Sequence, residues 1–161
     1  MGFEMIQYRI ATESDIPALA ELRVITRGTV EGWEPYIAGY MNGINNPQKA
    51  LAPRMVYAAA DNNKIVGWIA GHLTKRLGCD GELQWIDVDS EYRRKGIASE
   101  LVRVLAKWFA GQNAKKVCVD PGNDDARKFY AANGAENLNQ HWMHWEDITT
   151  LLRKDGIVNS E

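Results

Sequence analysis

Three consecutive cations, Arg93, Arg94 and Lys95, stand immediately before Gly96, and from Ile97 onward apolar residues recur at helical spacing. Like charges in a row repel one another and add nothing to a core, so the run is either a solvated loop or a site for an anion. Its position bears on that choice. The first backbone N–H groups of a helix have no intrahelical partners, and the helix dipole places partial positive charge at the same end. Cations there are disfavoured by roughly 0.3–1 kcal/mol each unless an anion answers them. Gly96 has no side chain to keep a ligand away from the backbone. The arrangement suits a phosphate. No G-x-x-x-x-G-K-S/T run precedes the helix and no G-x-G-x-x-G follows a strand, so nucleoside triphosphates and dinucleotides lack their usual signatures and another phosphorylated ligand is implied.

The elements that must position this junction follow from periodicity. Ile6 to Ala11 alternates and predicts a first strand, with Thr12 or Ser14 as N-cap of a helix in which Ile16, Leu19, Leu22 and Thr26 recur and Pro17 sits in the first turn. A second helix is expected from Trp33 to Ile44, weakened by Gly39 and Gly43. Arg54–Ala60 and Lys64–Leu73 read as a hairpin turning at Asp61-Asn62-Asn63, and Gly81–Asp89 as a further strand. After Gly96, the residues Ile97, Leu101, Val104, Leu105 and Trp108 share one helix face that ends near Gly111. Lys115–Asp120 is a strand stopped by Pro121-Gly122, Asn123–Gly134 a short helix with an acidic start, and His141–Asp147 a closing strand. This order describes an α/β (α+β) domain built on one mixed sheet, with no internal repeat.

Composition sets the outer bounds. The 161 residues, 45% apolar with six Trp, suit one domain over 1–161, with a core over about 6–147 and a tail after it. A net charge of −2 excludes broad electrostatic coating of nucleic acid or of an anionic membrane, so anion recognition must be local. Cys79 and Cys118 have no C-x-x-C spacing and are expected as free, small buried hydrophobes. No basic-then-apolar leader, acylation motif or bilayer-length apolar run is present, which makes a cytoplasmic, soluble chain the expectation.

Arg93 to Ala98 fits R/Q-x-x-G-x-G/A, the pyrophosphate-binding signature of the GNAT superfamily of N-acetyltransferases. The strand before it, the amphipathic helix after it, and the downstream Asn123 seven residues before Tyr130 in a helix closed by Gly134 follow the same order of elements, so the chain resembles that superfamily over essentially its whole length. The resemblance implies a mostly antiparallel central sheet flanked by helices, and acetyl-CoA as acyl donor without a metal. It implies a cofactor site made of Arg93, Arg94, Lys95, Gly96, Ile97, Ala98 and Ser99 around the pyrophosphate. Ile86, Asp87 and Val88 would pair with the pantetheine arm, and the Asn123 amide would also contact the cofactor, although Asn is equally a preferred helix N-cap. Tyr130 resembles the general acid that protonates the departing sulfur, and otherwise reads as a helix aromatic packed on the sheet. Glu82 occupies the position of a common general base, with Asp87 as rival. Strict alternation places Glu82 on one strand face with Gln84, Ile86 and Val88, and Asp87 on the other, so only a bulge would bring both to the acceptor. Trp33, Tyr36 and Tyr40 fall in the acceptor-side region of such proteins or on one buried helix face, while Trp85, Trp108, Trp142 and Trp145 read as core. His141 and His144 on a strand point to opposite faces and form no metal motif. One departure is Ala135, where the superfamily usually continues Gly-Phe, which predicts a remodelled wall near Tyr130.

The function expected is N-acetyl transfer to a primary amine of a small molecule or peptide, by direct attack in a ternary complex. The competing readings are a non-catalytic acyl-CoA-binding sensor or scaffold, and a nucleic-acid binder for which no wider basic face exists. The resemblance allows a homodimer and implies no membrane partner. The acceptor's identity is not written in these residues.

Overall fold

The computed structural model describes residues 5–24 and 28–155. Thr26, placed on the first helix face by its spacing, lies outside them. Seven strands among the described residues form one sheet: β1 (Ile6–Ile10), β2 (Ala50–Asp61), β3 (Lys64–Thr74), β4 (Gly81–Val88), β5 (Val117–Val119), β6 (Glu136–Asn137) and β7 (Met143–Trp145). They lie in the order β1-β2-β3-β4-β5-β7-β6, and all neighbours are antiparallel except β4 and β5. Four α-helices among the described residues, α1 (Ile16–Arg23), α2 (Val30–Met41), α3 (Ile97–Gly111) and α4 (Asp124–Ala132), cover the sheet.

Each face of the sheet has its own core. Leu19, Ala20 and Leu22 of α1 and Ile37 and Tyr40 of α2 pack on Val56, Ala58, Trp68, Ala70 and Trp85. On the opposite face Leu101, Leu105 and Phe109 of α3 pack with Ile69, Leu83 and Val117, and this core continues to Tyr130 and Trp145. It also takes in Ile148 and Leu151 from a 3₁₀ segment over Ile148–Asp155, so buried packing runs past residue 147.

Local chemistry accounts for the boundaries. Thr12 and Asp15 form a capping box on a 3₁₀ turn leading into α1, and an Arg9–Asp15 ion pair of 2.7 Å ties that turn to β1. The second helix begins at Val30 rather than Trp33 because the Thr29 hydroxyl accepts from the Gly32 N–H. It ends at Met41 rather than Ile44 because Gly43 takes a φ of 76° and the Ile44 N–H bonds back to the Gly39 carbonyl, a Schellman cap. In α3 the buried stripe is Ile97, Leu101, Val102, Leu105, Ala106 and Phe109. Val104 and Trp108 lie only at its flank, one step around the helix from where their spacing placed them. Trp142 is likewise not core: it precedes β7, and the Arg76 guanidinium stacks 4.8 Å from its ring centroid. Trp85 and Trp145 are buried.

Candidate active site

The parallel pairing of β4 with β5 covers only Gly81–Leu83 against Val117–Val119, while β3 follows β4 to Val88. Beyond Leu83 the two strands separate, and the β5-side edge of β4 offers unpaired backbone groups from Ile86 to Val88. A cavity of about 510 Å³ fills the gap, walled by Ile86–Val88, by the start of α3 and by one face of α4.

At its α3 end no side chain caps the helix, so the N–H groups of Ile97, Ala98 and Ser99 remain available there. Gly96 has a φ of 82° and Arg94 one of 65°, left-handed conformations of the kind from which anion-binding concavities of backbone amides are built. A Cβ built on Gly96 would meet nothing within 4 Å; it would stand in the space a ligand needs. Arg93, Arg94, Gly96, Ile97, Ala98 and Ser99 all line the cavity, whereas Lys95 does not.

Helix α4 contributes Asn123 and Tyr130. Asn123 is the N-cap, its Oδ1 accepting from the Ala126 N–H at 2.8 Å, and it also lines the cavity; capping engages only its oxygen and leaves its amide nitrogen out of the cap. Tyr130 is buried among Phe129 and Trp145 yet borders the same space. Burial raises its phenol above the ordinary value; the Arg23 charge opposes this, and Asp87 and Asp120 reinforce it. Gly134 and Ala135 close the helix by bonding back to Ala131 and Tyr130, and Ala135 packs in the same core as Tyr130.

The register of β3 with β4 shifts between Ala70↔Trp85 and Gly71↔Leu83, which makes Gln84 the extra residue of a β-bulge. The alternation that would separate the two carboxylates is thereby reset. Glu82, Trp85 and Asp87 project to the α1/α2 face, and Leu83, Ile86 and Val88 to the α3 face. Asp87 accepts from Trp68 Nε1 at 3.0 Å and from Arg23 Nη1 at 3.3 Å, and it lines the cavity. Burial pushes its carboxyl up to about 6 against the pull of Arg23 and Trp68. Glu82 is 5% exposed and stands outside the cavity wall, with His72 Nε2 3.4 Å and Arg76 Nε 3.3 Å from its Oε1.

Residues 19–135 match the model of the acetyltransferase (GNAT) family. The chain belongs to the GNAT family. Solved structures with the same fold include a putative GNAT acetyltransferase from Desulfovibrio desulfuricans, 10% identical, with a TM-score of 0.71 over 89% of this chain and 99% of that one. The PaiA N-acetyltransferase of Thermoplasma acidophilum, solved with coenzyme A, is 14% identical, with a TM-score of 0.65 over 89% and 99% of the two chains. The ribosomal-protein-S5-alanine acetyltransferase of Vibrio fischeri is 22% identical, with a TM-score of 0.60 over 89% and 92%. No curated protein sequence matches the chain.

Around the carboxylates of this GNAT domain stand the aromatics of α2. The rings of Trp33, Tyr36 and Trp85 lie 5.5–5.9 Å apart in mutual contact, on the face that carries Glu82 and Asp87. Tyr36 is 47% exposed and Tyr40 only 1%, so the helix presents one aromatic to solvent and buries another. Trp33 and Tyr36 stand beside the cavity rather than in its wall. His141 precedes β7 and pairs with Asp120, while His144 lies within β7 and faces Glu146. Cys79 and Cys118 are free and buried, and the fold brings their thiols into contact, which their distance in sequence concealed. Burial raises both thiols, which fits buried packing rather than nucleophilic use. Other wall residues were silent in the sequence: Leu22 is indistinguishable from core, and only the shared helical face of Ala126, Phe129 and Tyr130 signalled a common surface.

Proposed function

We propose that this chain is an N-acetyltransferase that moves the acetyl group of acetyl-CoA to a primary amine of a small molecule or peptide, by direct attack in a ternary complex in the cytoplasm. What supports it is one juxtaposition: the open edge of β4, the uncapped start of α3 and the Tyr130 side chain border the same cavity. Acetyl-CoA supplies an activated thioester. The N–H groups of Ile97, Ala98 and Ser99, with the loop over Arg93–Gly96, fit its pyrophosphate, and the Ile86–Val88 edge fits its amide-bearing arm. The Asn123 amide nitrogen is a further donor toward that arm.

Tyr130 keeps its proton in this buried setting and delivers it to the departing sulfur, whose basicity the same dry surroundings raise. Glu82 takes the acceptor's proton, directly or through one water, with Trp33 and Tyr36 forming the acceptor wall. A second reading assigns the base to Asp87, because it lines the cavity and its carboxyl, at about 6, titrates near neutral pH. Under the first, Glu82→Gln removes the acid limb of the kcat/KM profile and Asp87→Asn leaves it; under the second the outcomes exchange. The function itself is tested by incubating the protein with acetyl-CoA and a panel of primary amines and weighing the products. An amine that gains one acetyl group supports transfer. Calorimetric binding of acetyl-CoA with no acetylated product from any amine would instead mark a sensor.

A further inference from the structure

Beneath Glu82 lies a chain of buried polar groups that the cavity does not explain. His72 on β3 is fully buried and stands directly opposite Glu82 on β4. Its Nδ1 is 2.9 Å from the hydroxyl of Tyr40, itself 1% exposed, and its Nε2 is 3.4 Å from Glu82 Oε1. His72 Nε2, Glu82 Oε1 and Arg76 Nε are all buried without a completed hydrogen bond. Leaving such atoms unpaired is costly, so two nitrogens converging on one buried carboxylate oxygen, none of the three with a completed bond, are unexpected in a purely structural strand pair.

We infer that His72 is a positioning residue for Glu82, and that Tyr40 sets its tautomer. This rests on the proposal that Glu82 is the base. Burial raises the Tyr40 phenol, so it remains a donor, and His72 Nδ1 is the acceptor within reach. With Nδ1 accepting, a singly protonated imidazole carries its proton on Nε2, the nitrogen 3.4 Å from Glu82 Oε1. The opposite tautomer would set a bare Nε2 lone pair against a carboxylate oxygen in a dry site. Arg76 Nε approaches the same oxygen at 3.3 Å, its guanidinium held on the Trp142 ring. Both contacts fall on Oε1, which turns Oε2 into the oxygen left for the acceptor's proton. The other groups near this cluster are the Arg54 guanidinium over the Tyr40 ring and the un-ionised thiol of Cys118, the cross-strand neighbour of Glu82.

Imidazole ¹⁵N NMR of the ligand-free protein reads the tautomer directly. A proton on Nε2 is expected for His72, with Tyr40→Phe relaxing that preference; a proton on Nδ1 would overturn the inference. In kinetics, His72→Leu is expected to shift the acid limb of kcat/KM and to lower kcat about 10–100-fold with KM for acetyl-CoA unchanged, the range of a lost orienting partner rather than a lost base. His72→Gln, which restores an N–H donor, should recover most of that loss. Adding His72→Leu to Glu82→Gln should cost nothing further, since both act through one group. An impaired Glu82→Gln beside a His72→Leu with an unaltered acid limb would overturn the positioning role alone. A fully active Glu82→Gln would overturn the base assignment and this inference with it. If His72→Leu does not fold, the Tyr40→Phe and His72→Gln profiles decide: an acid limb that neither one moves would overturn the positioning role.

Discussion

Tyr130 and Asp87 border the same cavity, but burial acts on them with different consequences. For Tyr130 it preserves a proton, so Tyr130→Phe is expected to lower kcat by roughly 10²–10⁴-fold, the usual contribution of a positioned acid, while calorimetry shows near-normal acetyl-CoA affinity. A full-rate variant would remove Tyr130 from the chemistry. For Asp87 burial has a cost. Its carboxyl rises from 3.8 to about 6 on folding, so the native state holds a proton that the unfolded chain has released between those values. The associated stability is complete below pH 3.8 and lost as the pH rises through about 6, leaving a penalty on the order of 2–3 kcal/mol at neutral pH. Asp87→Asn keeps a neutral acceptor for Trp68 and Arg23 and escapes that penalty. Urea unfolding at pH 4 and pH 7 should therefore show the variant gaining on the wild type as the pH rises; a difference that is the same at both would contradict the buried carboxyl.

Strand β4 and helix α3 build the cavity together, and their glycines separate binding from folding. Gly96→Val places a side chain in the ligand's approach, with no neighbour to strike but at a φ of 82° that strains it, and is expected to abolish acetyl-CoA binding in calorimetry while the far-UV spectrum stays native. Arg93→Ala, removing an exposed charge, should weaken binding only modestly. Gly81→Ala works on the other side of the strand: its Cβ would collide with the Phe109 ring of α3, so it should lower stability by about 1–3 kcal/mol, as overpacking does, with the Arg93–Gly96 loop intact. Much of this arrangement is legible in the chain, because it is local. The cation run, Gly96 and the stripe from Ile97 place the helix start, and Asn123 with Gly134 bounds α4. The bulge at Gln84 is not local: it follows from how β3 and β4 align, with Gly71 admitting Leu105 and Phe109 beside the backbone of β4, and no pattern within Gly81–Asp89 announces it. The Arg23–Asp87 pair and the meeting of Cys79 with Cys118 are hidden for the same reason, each joining elements distant in sequence.

For the molecule as a whole, one sheet divided at β4 and β5 serves two cores and one cleft, and the two carboxylates stand on the face covered by α1 and α2. Membership in the GNAT family and this cleft agree on acyl transfer, and the aromatic trio shares the sheet face of the two carboxylates, where the proposed acceptor side lies. Among the described residues no helix is long and apolar enough to cross a membrane. The most direct measurement is the rate of thiol release from acetyl-CoA by the wild-type protein, with and without each of a panel of primary amines. Release that rises above the amine-free background with at least one amine and saturates in both substrates is the expected result. Tight binding of acetyl-CoA with release that no amine accelerates would contradict transfer and leave a binding domain in its place.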